Sequence, residues 1–114
     1  MDVSTIAQKA GEASALMKAL SHERRLLVLC HLVAHGELPV NELAERVGLS
    51  QSALSQHLAK LREQKLVATR KEAQSVFYRI CDARAEQVLA LLHQIFCPEL
   101  GRESDAAQDN GENS

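Results

Sequence analysis

The sequence predicts a mainly α-helical fold of five helices with a β-hairpin before the last helix, which is the arrangement of a winged helix-turn-helix. Three observations support this prediction. Apolar residues recur at helical spacing in five segments between residues 5 and 96. Residues 67–71 and 75–80 instead alternate in period two and are rich in β-branched and aromatic side chains, as paired strands are. Gly48 lies in a short turn between two of the helical segments.

The first three helices are expected at residues 5–20, 22–35 and 40–47. The hydroxyl of Ser21 can accept a hydrogen bond from the start of the second helix, so we expect Ser21 to cap that helix. Gly48 follows the third helix, and a glycine can adopt the left-handed backbone conformation that ends a helix. The third and fourth helices therefore form the predicted helix-turn-helix.

The fourth helix carries one narrow apolar stripe, in which Leu54, Leu58 and Leu61 occupy positions i, i+4 and i+7. Ser50 precedes this helix and can cap it. Four uncharged polar residues lie away from or beside this stripe and suit the edges of DNA bases: Gln51, Ser52, Ser55 and Gln56. His57 lies at the edge of the apolar stripe, where it contacts DNA or supports the helix. We interpret this helix as a DNA-recognition helix.

The predicted hairpin is interpreted as the wing. Its connection, residues 72–74, contains neither Gly nor Asn, so we expect a longer and more mobile tip instead of a two-residue turn. Asp82 can cap the last helix, which runs to about residue 96. The apolar stripe of this helix is broader than docking on one small domain requires. We therefore expect a homodimer through the first and last helices, with recognition helices about 34–36 Å apart on a palindromic DNA operator.

The distribution of charge supports a nucleic-acid partner, although the overall balance does not. The chain has a formal net charge of −2 at pH 7. Residues 46–84, however, contain eight basic and three acidic residues, a balance of +5. Four basic residues are expected to contact DNA phosphates: Lys60, Arg62, Arg70 and Lys71. Residues 99–114 are acidic and contain little to bury, so they are expected to be disordered.

These observations predict one winged helix-turn-helix domain for DNA binding and dimerisation over residues 1–98, followed by the acidic tail at 99–114. The chain has no apolar run that could span a bilayer and no signal-peptide pattern, so we expect a cytoplasmic protein with reduced thiols. No cofactor motif is present. A thiol enzyme is disfavoured because so short a chain has no evident room for a substrate pocket. A winged domain that binds only proteins would be expected to carry apolar or acidic residues on the exposed face of the fourth helix. This face carries uncharged polar residues instead, which disfavours that alternative.

Three segments carry a resemblance to a known family: Ser-His-Glu-Arg-Arg-Leu at residues 21–26, Leu-Ser-Gln-Ser-Ala-Leu-Ser-Gln-His-Leu at 49–58 and Thr-Arg-Lys-Glu-Ala-Gln-Ser-Val-Phe-Tyr at 69–78. With the order of the helices, they resemble the ArsR/SmtB repressors, and among these the branch of BigR, SqrR and HlyU. That branch uses one cysteine on the second helix and one near the end of the last helix, matched here by Cys30 and Cys97. The resemblance implies that an oxidant or a reactive sulfur species joins the two cysteines, by a disulfide or polysulfide bridge, and that DNA is then released.

Other interpretations of the cysteines remain open. Cys30 lies in an apolar run and could be a packing residue. Cys97 ends a helix, where the helix dipole disfavours a thiolate. Cys81 matches nothing in the branch pattern and is expected to be a passive residue. Arsenite, which prefers thiolates, could bind all three cysteines, and whether the regulator represses transcription or displaces another silencer is also open.

A metal site is the main competitor of the thiol mechanism. His31 and His35 are four residues apart and could share one metal ion. The chain reads Asp-Ala-Arg at residues 82–84, however, where zinc-sensing relatives of the family carry Asp-x-His. We therefore expect no metal site.

Overall fold

The computed structural model describes residues 2–97, and it confirms the winged helix-turn-helix prediction. Five helices and three strands follow one another in the described residues: α1 (Val3–Leu20), α2 (Glu23–His35), β1 (Leu38–Pro39), α3 (Val40–Val47), α4 (Gln51–Glu63), β2 (Val67–Glu72), β3 (Ser75–Ile80) and α5 (Ala83–Phe96). Each helix between residues 2 and 97 is too short or too polar to cross a bilayer. The predicted acidic tail lies outside the described residues.

A core rich in leucine holds α2, α3, α4 and α5 together. The predicted stripe of α4, Leu54, Leu58 and Leu61, is completely buried in it. Leu29 on α2 and Leu89 on α5 are also completely buried, so both helices dock on the same core as α4. The recognition helix is therefore anchored along its apolar side, and its polar side remains free for a partner.

The turn between α3 and α4 has the backbone that its residues predict. Gly48 ends α3 with φ +70° and ψ 35°, in the left-handed region. The Ser50 hydroxyl then accepts a hydrogen bond of 3.1 Å from the Ala53 N–H and caps α4. Asp82 caps α5 in the same way, at 2.9 Å from the Ala85 nitrogen. These local signals, all visible in the sequence, set where α4 and α5 begin.

The prediction that Ser21 caps α2 is wrong. Ser21 has the helical backbone angles φ −85° and ψ −2°, so it continues the last turn of α1. Its hydroxyl donates a 2.8 Å hydrogen bond to the Lys18 carbonyl in α1 and does not cap α2. His22 occupies the position before α2 and makes no capping hydrogen bond through its side chain.

The wing differs from the predicted hairpin in two respects. It is a three-stranded antiparallel sheet of order β1-β3-β2, because the two residues of β1 pair with Tyr78 and Phe77 of β3. The tip is a two-residue turn, since Glu72 is already paired with Ser75, so the predicted longer tip is wrong. Ala73 adopts a positive φ of 55° there. Six consecutive residue pairs between β2 and β3 stabilise this register, although the positive φ of Ala73 is an unfavourable backbone conformation for a residue with a Cβ.

Candidate DNA interface and thiol cleft

The four residues predicted to contact DNA bases lie together on the solvent side of α4. Gln51, Ser52, Ser55 and Gln56 are all exposed, opposite the buried stripe. Their amides and hydroxyls can each donate and accept hydrogen bonds, as reading the edges of bases requires. We call this surface the recognition face.

His57 lies between the recognition face and the body of the domain. Its side chain is half-buried, and its ring packs edge-on against that of His22, with centroids 5.2 Å apart. Burial lowers the pKa of His57, and the positive charges of His22, Arg25 and Arg24 lower it further. The contact with His22 joins the start of α2 to the recognition helix, and the sequence separation of 35 residues hides it from any local pattern.

The four residues predicted to contact phosphates differ in how much of their charge is free. Arg62 and Lys71 are exposed, and neither forms an ion pair within residues 2–97. Lys60 lies 3.7 Å from the Glu63 carboxylate. The fourth residue, Arg70, forms ion pairs with two carboxylates.

Arg70 is held by two carboxylates and an aromatic ring. Its Nε donates to Glu37 at 2.8 Å, and its Nη1 donates to Glu72 at 2.7 Å. The guanidinium carbon lies 4.5 Å from the centroid of the Phe77 ring. The hydrogen bonds that Arg70 donates to Glu37 and Glu72 raise the pKa of Arg70. A phosphate would have to compete with both carboxylates, so the structure gives Arg70 a role in bracing the wing.

A second feature lies at the opposite end of α5 from the wing. A cleft with a volume of about 550 Å³ opens between α2 and α5. Five apolar side chains, two thiols and four basic side chains line it: Leu26, Leu27, Ala34, Leu92, Phe96, Cys30, Cys97, His31, His35, Arg46 and His93. We call it the thiol cleft. The expectation that the chain has no room for a pocket is wrong, because the groove forms between two helices far apart in sequence.

Cys30 and Cys97 line the same cleft, and the charge of Cys97 acts on Cys30. Both thiols are free and half-buried. Burial raises the pKa of Cys30, and the negative charge of a Cys97 thiolate raises it further. Cys97 follows α5 directly, and its N–H donates to the His93 carbonyl at 2.8 Å. The structure therefore brings together the two cysteines that the sequence singled out.

Cys81 is separate from this pair. It is exposed between β3 and α5, where its thiol donates to the Lys65 carbonyl at 3.6 Å. Cys97 lies at the other end of α5, whose 14 residues rise about 21 Å. The three thiols of one chain are thus not assembled into a single site, which argues against the three-thiolate arsenite site considered from the sequence.

Two of the three histidines that line the thiol cleft, His31 and His35, form a stack. The rings of His31 and His35 are nearly parallel, with centroids 6.1 Å apart, and Nη1 of Arg46 lies 3.4 Å from Nε2 of His35. Burial lowers the pKa of His31, as do the charges of His35 and Arg46. Within the described part of the chain, no three His, Cys or carboxylate side chains are grouped closely enough to hold a metal ion.

Comparison with known proteins agrees with this geometry. The sequence profile of the bacterial regulatory protein, arsR family, matches residues 22–69, from the end of the α1–α2 turn into the wing. The transcriptional activator HlyU of Vibrio cholerae serotype O1 is 47% identical over 97 residues, which cover 85% of this chain and 89% of that protein. The chain belongs to the arsR family of bacterial regulatory proteins.

Two further ArsR-family proteins extend the similarity. The biofilm growth-associated repressor of Xylella fastidiosa is 42% identical over 92 residues, covering 81% of this chain and 80% of that protein. The crystal structure of HlyU from Vibrio vulnificus superposes with a TM-score of 0.80 at 47% identity, covering 85% of this chain and all of that one. The resemblance inferred from the sequence is therefore confirmed, and this ArsR-family chain is a DNA-binding transcriptional regulator, not an enzyme.

Proposed function

We propose that this ArsR-family chain is a cytoplasmic homodimeric repressor whose affinity for a palindromic operator is controlled by sulfur chemistry at Cys30 and Cys97. One observation carries the proposal. The two thiols line one cleft and are close enough for the charge of Cys97 to raise the pKa of Cys30. A covalent link between them would tie α2, which packs on the DNA-binding helices, to the end of α5.

Exposed apolar side chains support the homodimer. Toward the end of α5, Leu91, Ile95 and Phe96 expose 54%, 58% and 76% of their surfaces. Ile6 and Met17 on α1 are exposed by more than half as well. Apolar surface on this scale is characteristic of an interface, and a second copy of the chain is the partner that a two-fold symmetric operator requires. The dimer would then present two recognition faces to successive turns of DNA.

The proposed reaction balances with an organic persulfide as the oxidant. A thiolate of the pair attacks the outer sulfur of R–S–SH, which releases R–SH and leaves a cysteine persulfide. The second cysteine attacks the inner sulfur of that persulfide, so that a disulfide forms and H₂S leaves. The two cysteines are oxidised and the persulfide is reduced. The raised pKa of Cys30 makes it a poor nucleophile at neutral pH, so we assign the first attack to Cys97. Cys30 then attacks within the cleft, where proximity to the persulfide offsets its small thiolate fraction.

A disulfide between Cys30 and Cys97 can affect DNA binding through the contacts between helices in the core. α2 contacts α3, α4 and β3, and α5 contacts α2 and carries part of the proposed dimer surface. Drawing the end of α5 toward Cys30 would change the angle between the two copies, and with it the spacing of the recognition faces. Allosteric coupling of this kind is usually about 1–3 kcal/mol, a change in operator affinity of about 5- to 150-fold.

A redox-sensitive anti-silencer is the second candidate, and the names of the relatives are the observation that favours it. The Vibrio cholerae relative is named an activator, whereas the Xylella fastidiosa relative is named a repressor. Binding to the operator is common to both candidates. They differ in whether transcription falls or rises when the protein occupies its operator.

The test uses reduced protein and an operator selected from a random duplex library. Fluorescence anisotropy measures affinity before and after an organic persulfide is added, and intact-mass spectrometry measures what was added to the thiols. We expect release of DNA with the loss of two hydrogen atoms for a disulfide, or with added sulfur atoms for a polysulfide. Cys30→Ser and Cys97→Ser should bind like the reduced protein but fail to respond.

Cys81→Ser is the matched control, because its thiol lies outside the cleft, and it should respond like the wild type. Release of DNA from Cys97→Ser on persulfide treatment would show that the two-cysteine mechanism is wrong. Transcription in vitro from the selected operator, with and without a competing silencer, distinguishes the repressor from the anti-silencer.

A further inference from the structure

Four basic side chains gather beside the recognition face, three from the start of α2 and one from α4. We call them the α2–α4 basic patch: His22, Arg24, Arg25 and His57. The rings of His22 and His57 are in contact at 5.2 Å, and the charges of Arg24 and Arg25 both reach His57. His22 and Arg24 are exposed, so the patch is open to solvent on its outer side.

The patch is not neutralised by acidic side chains. Within residues 2–97, neither Arg24 nor Arg25 forms an ion pair, whereas Arg46, Arg70 and Arg84 each contact a carboxylate. The buried Nε of Arg25 has no hydrogen-bond partner in this part of the chain. All the charges that act on the His57 ring are positive. Such a cluster is complementary to a polyanion.

The position of the patch indicates which polyanion. On α4, Gln56 of the recognition face immediately precedes His57, and Lys60 follows it by three residues along the same flank. When bases contact the recognition face, the phosphates of one strand run along the edge of that face, where the patch lies. The oxygen atoms of these phosphates can accept hydrogen bonds from the arginines and from protonated imidazoles.

We propose that the α2–α4 basic patch binds the phosphate backbone of the operator beside the recognition helix, and that His57 takes up a proton from solvent when the phosphates bind. The proposal rests on the DNA-binding part of the proposed function and is independent of its thiol chemistry. It adds His22, Arg24 and Arg25 to the DNA-binding residues.

The sign of the proton linkage follows from the neighbours of His57. In the free protein, burial and three basic neighbours, His22, Arg25 and Arg24, oppose its protonation. A phosphate brings negative charge, which favours the imidazolium and raises the pKa of His57 in the complex. The complex therefore holds more protons than the separate molecules, and affinity for DNA must rise as the pH falls through the range in which histidine titrates.

The first experiment measures the salt dependence of binding to operator and to unrelated duplex DNA, with the protein kept reduced. Arg24→Ala should weaken both and reduce the slope of log affinity against log salt by about one per protomer. Arg24 is exposed, so the domain should fold normally. Lys9→Ala, which removes one exposed positive charge from α1, is the control and should leave the slope unchanged. An unchanged slope for Arg24→Ala would overturn the proposal.

The second experiment compares operator affinity at pH 6 and pH 8 at constant salt. We expect the wild type to bind about three- to tenfold more tightly at pH 6, and His57→Gln to lose most of this difference. A pH difference that survives this substitution would overturn the proton uptake. If the protein failed to respond to persulfide, the expected salt and pH dependence of DNA binding would still hold. If the reduced wild type bound no duplex DNA, the proposed function itself would be contradicted.

Discussion

At the scale of single residues, adjacent positions on the wing show how acidic neighbours decide the role of a basic side chain. Arg70 is bound by Glu37 and Glu72, so its charge is already balanced. Lys71 is exposed and has no ion pair within residues 2–97. Of the two, Lys71 is better suited to bind phosphate.

Lys71→Ala should therefore weaken binding to operator and unrelated DNA alike and lower the salt slope by about one, because a phosphate contact releases one counterion. Arg70→Ala should change that slope less, since Glu37 and Glu72 already bind its guanidinium and hold it away from phosphate. Anisotropy titrations over a range of salt concentrations measure both. Equal slopes for Lys71→Ala and the wild type would place Lys71 away from the DNA backbone.

Gln56 is exposed on the recognition face, and its amide can bond an adenine through two hydrogen bonds. Gln56→Ala should cost about 1–3 kcal/mol on the operator and leave affinity for unrelated DNA nearly unchanged. Competition titrations with the two DNAs give this difference. The same loss on both would mean that Gln56 does not read bases.

The two cleft thiols provide a prediction about pH. Burial is the larger cause of the raised pKa of Cys30, and the charge of Cys97 is the smaller one. In a Cys81→Ser background, Cys97→Ser should lower the pKa of Cys30 but leave it above that of an ordinary thiol. The rate of alkylation by iodoacetamide, which rises with pH through the pKa because the thiolate reacts, measures both values. An unchanged pKa would show that the two thiols do not interact.

At the scale of elements, the turn between α3 and α4 sets the direction of the recognition helix, and it depends on one backbone conformation. Gly48 has φ +70°, and an added Cβ would meet no atom within 4 Å. A substitution there therefore tests the backbone alone, without a steric clash.

Gly48→Ala should destabilise the domain by about 1–2 kcal/mol, the usual cost of a left-handed conformation for a residue with a Cβ. Gly11→Ala is the matched control, because Gly11 lies inside α1 and also has open space around it. It should stabilise the domain by up to about 1 kcal/mol through helix propensity. Urea unfolding of both variants measures the difference, and equal effects would contradict the assigned role of Gly48.

At the scale of the whole molecule, the proposed dimer is the feature on which operator recognition depends. Ile95 exposes 58% of its surface near the end of α5, where it contributes little to the core. Ile95→Asp should leave the fold intact but place a charge in the proposed interface. We expect a monomer in analytical ultracentrifugation and a loss of operator affinity of more than about tenfold, because each half-site is then bound separately.

Ala90→Asp is the control for that experiment. Ala90 is exposed on the same helix and lies about 140° around the helix axis from Ile95. The Ala90→Asp substitution therefore adds the same charge on another face of α5. It should remain dimeric. If Ile95→Asp also remained a dimer, the end of α5 would not form the interface.

Signals within a few residues of one another were sufficient to predict most of this fold. The stripe of α4 is buried as its spacing predicts, and Ser50, Asp82 and Gly48 act as the caps and the helix end that their chemistry favours. These features depend on backbone geometry within one or two turns of helix, which residue type and spacing describe directly. The same periodicity predicts the polar recognition face, because burial of the apolar stripe leaves the other side of α4 exposed to solvent.

The tertiary structure alone decided the features that join residues distant in sequence. Glu37 reaches Arg70, His22 meets His57, and Cys30 shares a cleft with Cys97. The local rule for Ser21 failed because Ser21 is the C-cap of α1 and keeps a helical backbone, and the rule for the tip of the wing failed because strand pairing fixed the register. In each case the free energy gained by packing helices or pairing strands outweighs a local preference of about 1 kcal/mol. The spacing of residues along the sequence does not reveal which of these two free energies is larger.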